Sequence, residues 1–326
     1  MTGFNHVPRA MLATLPTPLE RGPELPGGAR LWVKRDDLTG LGVGGNKARK
    51  LEFLCGDALH HGARSLVTVG AAQSNHCRMT AAAGAVLGLE THLVMSGDRP
   101  DRFEGNQLLS EMFGAQFHFV GCPPHHWGEL EIARERLTDQ LAADGAAPYS
   151  VPIGGSTAIG AVGYAVAYAE TMAQCAAAAI QPAALVHASS SGGTHAGLVA
   201  GRALTRPSGD DAPPVLAIGV AKGVNAGLPD IAEMAADVTA PARSSADVAN
   251  DDVEVDARWI GDDYAIPTRA CDAAIAWAAR HGGWVLDATY SGKGFAGLLG
   301  NAADGRWSRG DDFIFVHTGG LPALFV

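Results

Sequence analysis

The chain is short of positive charge: 24 Lys and Arg stand against 34 Asp and Glu, a formal net charge of −10. No basic stripe offsets that balance, which argues against sustained nucleic-acid binding. Cysteine is sparse as well. The five thiols, Cys55, Cys77, Cys122, Cys175 and Cys271, follow no regular spacing, so they read as reduced thiols of a cytosolic protein and not as a disulfide framework. No apolar run approaches the ~20 residues of a membrane-spanning helix. The Ala-rich stretch 172–180 is too short and reads as part of a helix. The opening MTGFNHVPRAMLATLPTPLE lacks the apolar centre of a signal peptide. The expectation is a cytoplasmic protein whose partner is neither nucleic acid nor a membrane.

What is present can build a substantial core. The 326 residues are 47% hydrophobic and 18% charged, room for two domains or for one α/β unit with an inserted lobe. No internal repeat is visible. Short apolar runs at 31–34, 66–69, 92–95, 117–120, 184–187, 215–220 and 313–316 read as strands. Helical patterns lie between them at 46–60, 76–87, 104–112, 130–143 and 194–204, with Asn46 placed to cap the first. This alternation predicts parallel sheets with helices on both faces. The segments 205–214 and 237–256 are rich in Pro, Ala, Ser and Asp and read as surface loops. Lobe borders fall near Leu51 and Gly163. Three strand-to-helix junctions, 70–76, 188–195 and 317–320, carry Gly, Ser, Thr or Asn. Ligands of open α/β sheets bind beyond the carboxyl ends of strands, so these junctions are the expected walls of one cleft.

The stretch SSSGGTHAG at 189–197 follows a strand and opens a helix. Backbone N–H groups, hydroxyls and the helix N-terminus then surround an anion, as in a phosphate cup. A flexible Ser/Gly turn is the plain alternative. Gly40, Gly42 and Gly45 fit G-x-G-x-x-G, but a dinucleotide site also wants an acidic residue about twenty positions on, and 66–70 supplies none. Lys47, just inside that loop, is better read as a reactive amine, since desolvation or a helix N-terminus lowers a lysine pKa. Taken alone, a lysine there is more often a solvated helix residue. Gln73, Ser74 and Asn75 leave a strand and enter a helix, a turn that binds carboxylates or caps an ordinary helix.

As a set, these residues resemble the family of D-cysteine desulfhydrase and 1-aminocyclopropane-1-carboxylate deaminase, within the tryptophan-synthase-β-like fold of pyridoxal phosphate enzymes. The stretches that carry the likeness, in family order, are LPTPLE (15–20), LWVKRDDLTG (31–40), GGNKARKLEFL (44–54), QSNHCR (73–78), PIGGSTAIGAVGY (152–164), SGGTHAGL (191–198), YAIP (264–267), DATYSGKGFAGLL (287–299) and HTGGLPALF (317–325). The resemblance implies two open, twisted, mostly parallel sheets with flanking helices. It implies a large cofactor-binding domain at 1–50 and 164–326, a small domain at 51–163, and a homodimer. It implies pyridoxal 5'-phosphate with its aldehyde on Lys47 and its ring hydroxyl on Asn75. Ser191, Gly192, Gly193 and Thr194 would cradle the phosphate with help from Lys50, and Thr318 would meet the pyridine nitrogen. Gln73, Ser74, Asn75 and His76 would hold a small amino-acid substrate. Tyr264 and Tyr290 would line its other side and carry protons.

The resemblance also separates branches. The deaminases have Glu after the tyrosine matching Tyr290 and Leu at the position of Thr318, whereas this chain has Ser291 and Thr318. A hydroxyl facing the pyridine nitrogen leaves the ring a weaker electron sink, which suits elimination of a good β leaving group. The implied reaction is D-cysteine to pyruvate, ammonia and hydrogen sulfide. L-cysteate sulfo-lyase and the deaminase reaction are the alternatives, and a non-catalytic amino-acid or cofactor-binding protein is the rival from another class. Asp287-Ala288-Thr289 departs from the branch's usual Asp-Pro-Val, and Val43 and Ala48 replace more polar neighbours. These departures bear on the substrate, not the cofactor. Cys122-x-x-His125-His126 and His60-His61 lack the spacing of a zinc site, so no metal is expected.

Overall fold

The computed structural model describes residues 3–205, 212–222, 230–240, 242, 246 and 248–326. The first part of the chain forms strands β1 (Leu19–Glu24) and β2 (Arg30–Lys34), then helix α1 (Lys47–His60). There follow β3 (Ser65–Gly70), α2 (Asn75–Leu87), β4 (Glu90–Met95), α3 (Gly105–Met112), β5 (Gln116–Phe119), α4 (Trp127–Ala143) and β6 (Pro148–Ser150). The second part comprises α5 (Ala158–Ala177), β7 (Pro182–Ser189), α6 (Gly193–Thr205), β8 (Val215–Gly219) and α7 (Ile231–Thr239). It ends with β9 (Glu254–Asp256), α8 (Arg269–Gly282), α9 (Ser291–Ala303) and β10 (Asp312–Val316).

These strands make two sheets, as expected. The larger runs β1-β2-β10-β7-β8-β9 and is parallel except for the β1–β2 pair; the smaller runs β5-β4-β3-β6 and is parallel throughout. Strands β3, β8 and β10 are buried at every position. That is why their sequences, SLVTVG, VLAIG and DFIFV, read as near-continuous apolar runs instead of alternating ones.

Some elements depart from the expectation. The segment 237–256 is not one surface loop: α7 runs through Thr239, and β9 adds to the edge of the large sheet beside β8. Strand β9 is three residues long with two acidic side chains, so it carries no apolar pattern to read. Residues 206–211, 241, 243–245 and 247, which fall in the two expected loops, lie outside the described residues. Asn46 precedes α1, but its side chain makes no capping bond.

Helices α5 and α6 pack at backbone range. A Cβ at Gly197 would lie 2.5 Å from Tyr164 Cβ, and one at Gly201 would lie 2.6 Å from Tyr168 Cβ. Two glycines one helical turn apart thus set the depth of this contact. Beneath it, Arg49 of α1 is clasped by Asp36 (2.8 Å to each carboxylate oxygen) and Glu170 of α5 (2.9 and 3.0 Å). Lys34 bridges to the same Glu170, and Tyr164 donates to Asp36 at 2.6 Å. A buried charge is tolerable only when so paired. The clasp fixes the first turn of α1, and therefore Lys47, against both α5 and the end of β2. Among the described residues no helix is long and apolar enough to cross a membrane.

Candidate active site

The three junctions meet around one pocket. Gly70, Ala71, Ser74, Asn75 and His76 come from the turn after β3, Ala188–Gly192 and Thr194 from the turn after β7, and Thr318 and Gly319 from the turn after β10. Asn46 holds the turns together: its backbone N–H donates to Thr318 O at 3.0 Å and its Nδ2 donates to Thr194 Oγ1 at 3.1 Å. The G-x-G-x-x-G match before it is turn geometry. Gly40, Gly42 and Gly45 have φ of 85°, 49° and 132°, and a Cβ at Gly42 would sit 2.8 Å from Ala82 Cβ.

Lys47 lines the pocket, its Nζ 3.3 Å from Gly154 O. Burial pulls its ammonium down to about 8. Lys50 lies one turn further on and fully buried, its Nζ 2.9 Å from the same carbonyl and 3.3 Å from Ser156 Oγ. Burial, with the Lys47 charge added, holds it well below the usual lysine range. Among the described residues that line the pocket none is acidic. Lys47 and Lys222 line the pocket and Lys50 backs it; amines with no carboxylate among the described lining residues are the chemistry of an anion site.

The Ser/Gly turn is built for close approach. Ser156 donates to Ser191 Oγ at 2.8 Å and accepts from Gly193 N at 3.3 Å. A Cβ at Gly193 would lie 2.6 Å from Lys50 Nζ, and one at Gly154 would lie 2.3 Å from Ser191 Oγ. The thirteen-residue helix α6 starts here, with first-turn N–H groups that have no intrahelical acceptor. Hydroxyls, free amides, a helix N-terminus and Lys50 therefore converge where a phosphate would sit. These residues fit pyridoxal 5'-phosphate: an anion cup could take its phosphate, the pocket-lining amine Lys47 could take its aldehyde, and Asn75 and Thr318 line the space that would be left for the ring.

At the turn after β3, Ser74 caps α2, its Oγ accepting from Cys77 N at 3.2 Å, which leaves its O–H to donate. Thr68 donates its one hydroxyl proton to Val151 O at 2.9 Å, so its 2.8 Å contact with His76 requires His76 Nε2 to be the donor. Burial, with Lys47 and Lys50 nearby, holds His76 neutral. Tyr264 and Tyr290 share a hydrogen bond between their hydroxyls. Burial pushes Tyr264 up to about 12, and burial with Tyr264 alongside pushes Tyr290 well above the ordinary range. Both stay protonated at neutral pH.

Gln73 is not brought into the lining. Its side chain turns to α3, where Oε1 accepts from Asn106 N at 2.8 Å and Nε2 donates to Glu104 O at 3.2 Å. Gly193 and Lys50 lie just behind the lining. Ser291 is also outside it; its hydroxyl donates to Asp287 Oδ1 at 2.5 Å. Sequence reasoning missed Trp127, whose ring meets Tyr264 edge-on at 5.1 Å, and the carbonyl of Gly154. Trp127 opens α4, far from either tyrosine in the chain, so no local signal could have paired them. The stretch PIGGSTAIGAVGY contains Gly154 and gave the means to find it.

The pyridoxal-phosphate dependent enzyme family matches residues 10–319. A D-cysteine desulfhydrase of Klebsiella pneumoniae (strain 342) is 37% identical over 332 residues, covering 100% of this chain and 98% of the relative. A D-cysteine desulfhydrase of Salmonella choleraesuis (strain SC-B67) is 36% identical, covering 98% of this chain and 95% of the relative. The crystal structure of an ACC deaminase homologue superposes with a TM-score of 0.87 at 32% identity, covering 99% of this chain and 95% of the other. A T.th. threonine deaminase, at a TM-score of 0.65 and 20% identity over 93% and 92% of the two chains, shares the fold. With the lysine, the cup and the sheet order already in place, the chain belongs to the pyridoxal-phosphate-dependent enzymes.

Proposed function

We propose that this enzyme eliminates hydrosulfide from D-cysteine, giving pyruvate and ammonia after hydrolysis of the released enamine. One observation carries the reading: a desolvated amine, Lys47, lines a pocket that also takes in a protonated pair of tyrosines and, among its described lining residues, no carboxylate. Full-length similarity to D-cysteine desulfhydrases supports the choice of substrate.

Lys47 would hold the cofactor aldehyde, Ser191 to Thr194 and Lys50 its phosphate, Asn75 its ring hydroxyl and Thr318 its ring nitrogen. When bound, pyridoxal 5'-phosphate supplies the electron sink for Cα–H cleavage and β-departure. Lys47 Nζ, neutral above pH of about 8, accepts the Cα proton as general base. The Ser74 hydroxyl, free to donate, orients the substrate carboxylate. A phenol of the Tyr264–Tyr290 pair gives its proton to the departing sulfur. Trp127 packs on Tyr264 and bounds that end of the pocket, which favours a small β-substituent.

The same reading places the protein in the cytoplasm, in keeping with five buried free thiols. It pairs two copies as a homodimer, in keeping with exposed apolar side chains at Met112, Leu324 and Phe325. It takes 1–50 with 164–326 as the large domain and 51–163 as the small one. The test is keto-acid and sulfide release from D- and L-cysteine, L-cysteate, D-serine and the cyclopropane amino acid, for the wild type and Lys47→Ala. Wild-type protein should turn over D-cysteine fastest, and the variant should lose both turnover and the visible cofactor band. Full activity in the variant refutes the assignment.

A further inference from the structure

Arg78, on the first turns of α2, is fully buried, and no carboxylate among the described residues forms an ion pair with it. Its Nη2 donates to Gly44 O at 2.8 Å. Its Nη1 donates to Asn75 Oδ1 at 3.1 Å and to Asn106 Oδ1 at 2.9 Å. Asn106, also buried, donates its Nδ2 to Asn75 Oδ1 at 3.2 Å and to Gln73 O at 2.9 Å. A guanidinium has only donors, so the direction of every amide in this chain is dictated from Arg78 outward. The atom that Asn75 turns toward it must be oxygen. Asn75 Nδ2 is then left on the side of the pocket that Asn75 lines. The reverse orientation would set an NH2 group against the guanidinium.

We infer that Arg78 is a positioning residue that, with Asn106, locks the Asn75 amide nitrogen toward the cofactor's ring oxygen and lends that bond its positive charge. This rests on the reading in which Asn75 meets the ring hydroxyl. The cost of the arrangement is visible in the fold. An unpaired buried cation is destabilising, and burial alone draws Arg78 down to about 10. Holding Gly44 O needs only one neutral donor, whereas polarising Asn75 toward an anionic oxygen needs a charge. Asn106 keeps the second lone pair of Asn75 Oδ1 occupied, so the amide cannot rotate without breaking two bonds.

The test compares equilibrium binding of pyridoxal 5'-phosphate and of its 3-deoxy analogue, which lacks the ring oxygen. It uses cofactor-stripped wild type, Arg78→Met, Asn106→Ala and Asn75→Ala, with melting curves to establish folding. Arg78→Met should weaken binding of the natural cofactor by about tenfold and leave the 3-deoxy analogue unchanged. Asn106→Ala should do the same to a smaller degree, and it carries the test if Arg78→Met does not fold. Equal weakening of both ligands, or of neither, overturns the inference and leaves Arg78 as an anchor for Gly44. Asn75→Ala separates this from the parent reading. If it preserves the wild-type preference between the two ligands, the role of Asn75 itself is wrong and the inference falls with it. If it abolishes the preference while Arg78→Met and Asn106→Ala do not, only the role of Arg78 is wrong.

Discussion

Lys47 is an amine held out of water, and that setting decides its chemistry. With burial drawing it down to about 8, roughly a tenth of the amines are neutral and nucleophilic at pH 7, against well under a thousandth for an ordinary lysine. Cofactor uptake by the stripped protein should therefore accelerate as pH rises through about 8 and level off above it. An ordinary lysine would keep gaining rate toward 10.5. Growth of the visible band after mixing, followed across pH, measures this, and a rate still climbing beyond pH 10 contradicts it. Individual residues differed in how legible they were. Lys47, Asn75 and Thr194 stand in motifs whose neighbours also reach the site. Gln73 stands in the same motif as Asn75, yet the strand-to-helix turn points it at α3, a choice made by Asn106 thirty-three positions on. Trp127 had no motif at all.

The cup depends on one element starting where it does. Helix α6 begins at Gly193, whose missing side chain makes room for Lys50 Nζ and Ser156. A Cβ there would meet them at 2.6 and 2.9 Å, closer than real contacts allow, and the second contact is with the Ser156 backbone, which cannot swing aside as a side-chain end can. Gly193→Ala should raise the cofactor dissociation constant by about tenfold or more while the far-ultraviolet circular dichroism stays native. Equilibrium dialysis provides the number, and unchanged affinity would show that the turn yields. Among the elements, the buried parallel strands β3, β8 and β10 were readable because both faces are apolar. Strands β1 and β9 were not, since an edge strand half open to solvent keeps polar residues on it. Asn46 looked like a cap and has instead become a tie between α6 and the turn after β10.

The stability of the whole chain leans on the clasp of Arg49, Asp36, Glu170 and Lys34. Asp36 is fully buried; burial pushes its carboxyl up, and Arg49 outweighs this and holds it below the usual range. Arg49→Met strands that carboxylate and should destabilise the protein by about 3–5 kcal/mol, read as a lower urea midpoint with an unchanged slope. A loss under about 1 kcal/mol would mean that the clasp is no more than a surface pair. Nothing in the sequence announces this cluster, because its members are spread from position 34 to 170 and meet only in three dimensions.

The order of strands in the large sheet carries a further consequence. Strand β10, the last in chain order, lies in the interior between β2 and β7. Until it is delivered, the β1–β2 ribbon and the β7–β8–β9 trio are not paired with each other, and each presents an edge of unpaired backbone N–H and C=O groups. On the ribosome the smaller sheet can close as soon as its own strands emerge, but the larger one must wait with its seam open. Thr318, two residues beyond that final strand, arrives in the same moment, so the pocket and the sheet are completed by a single late insertion.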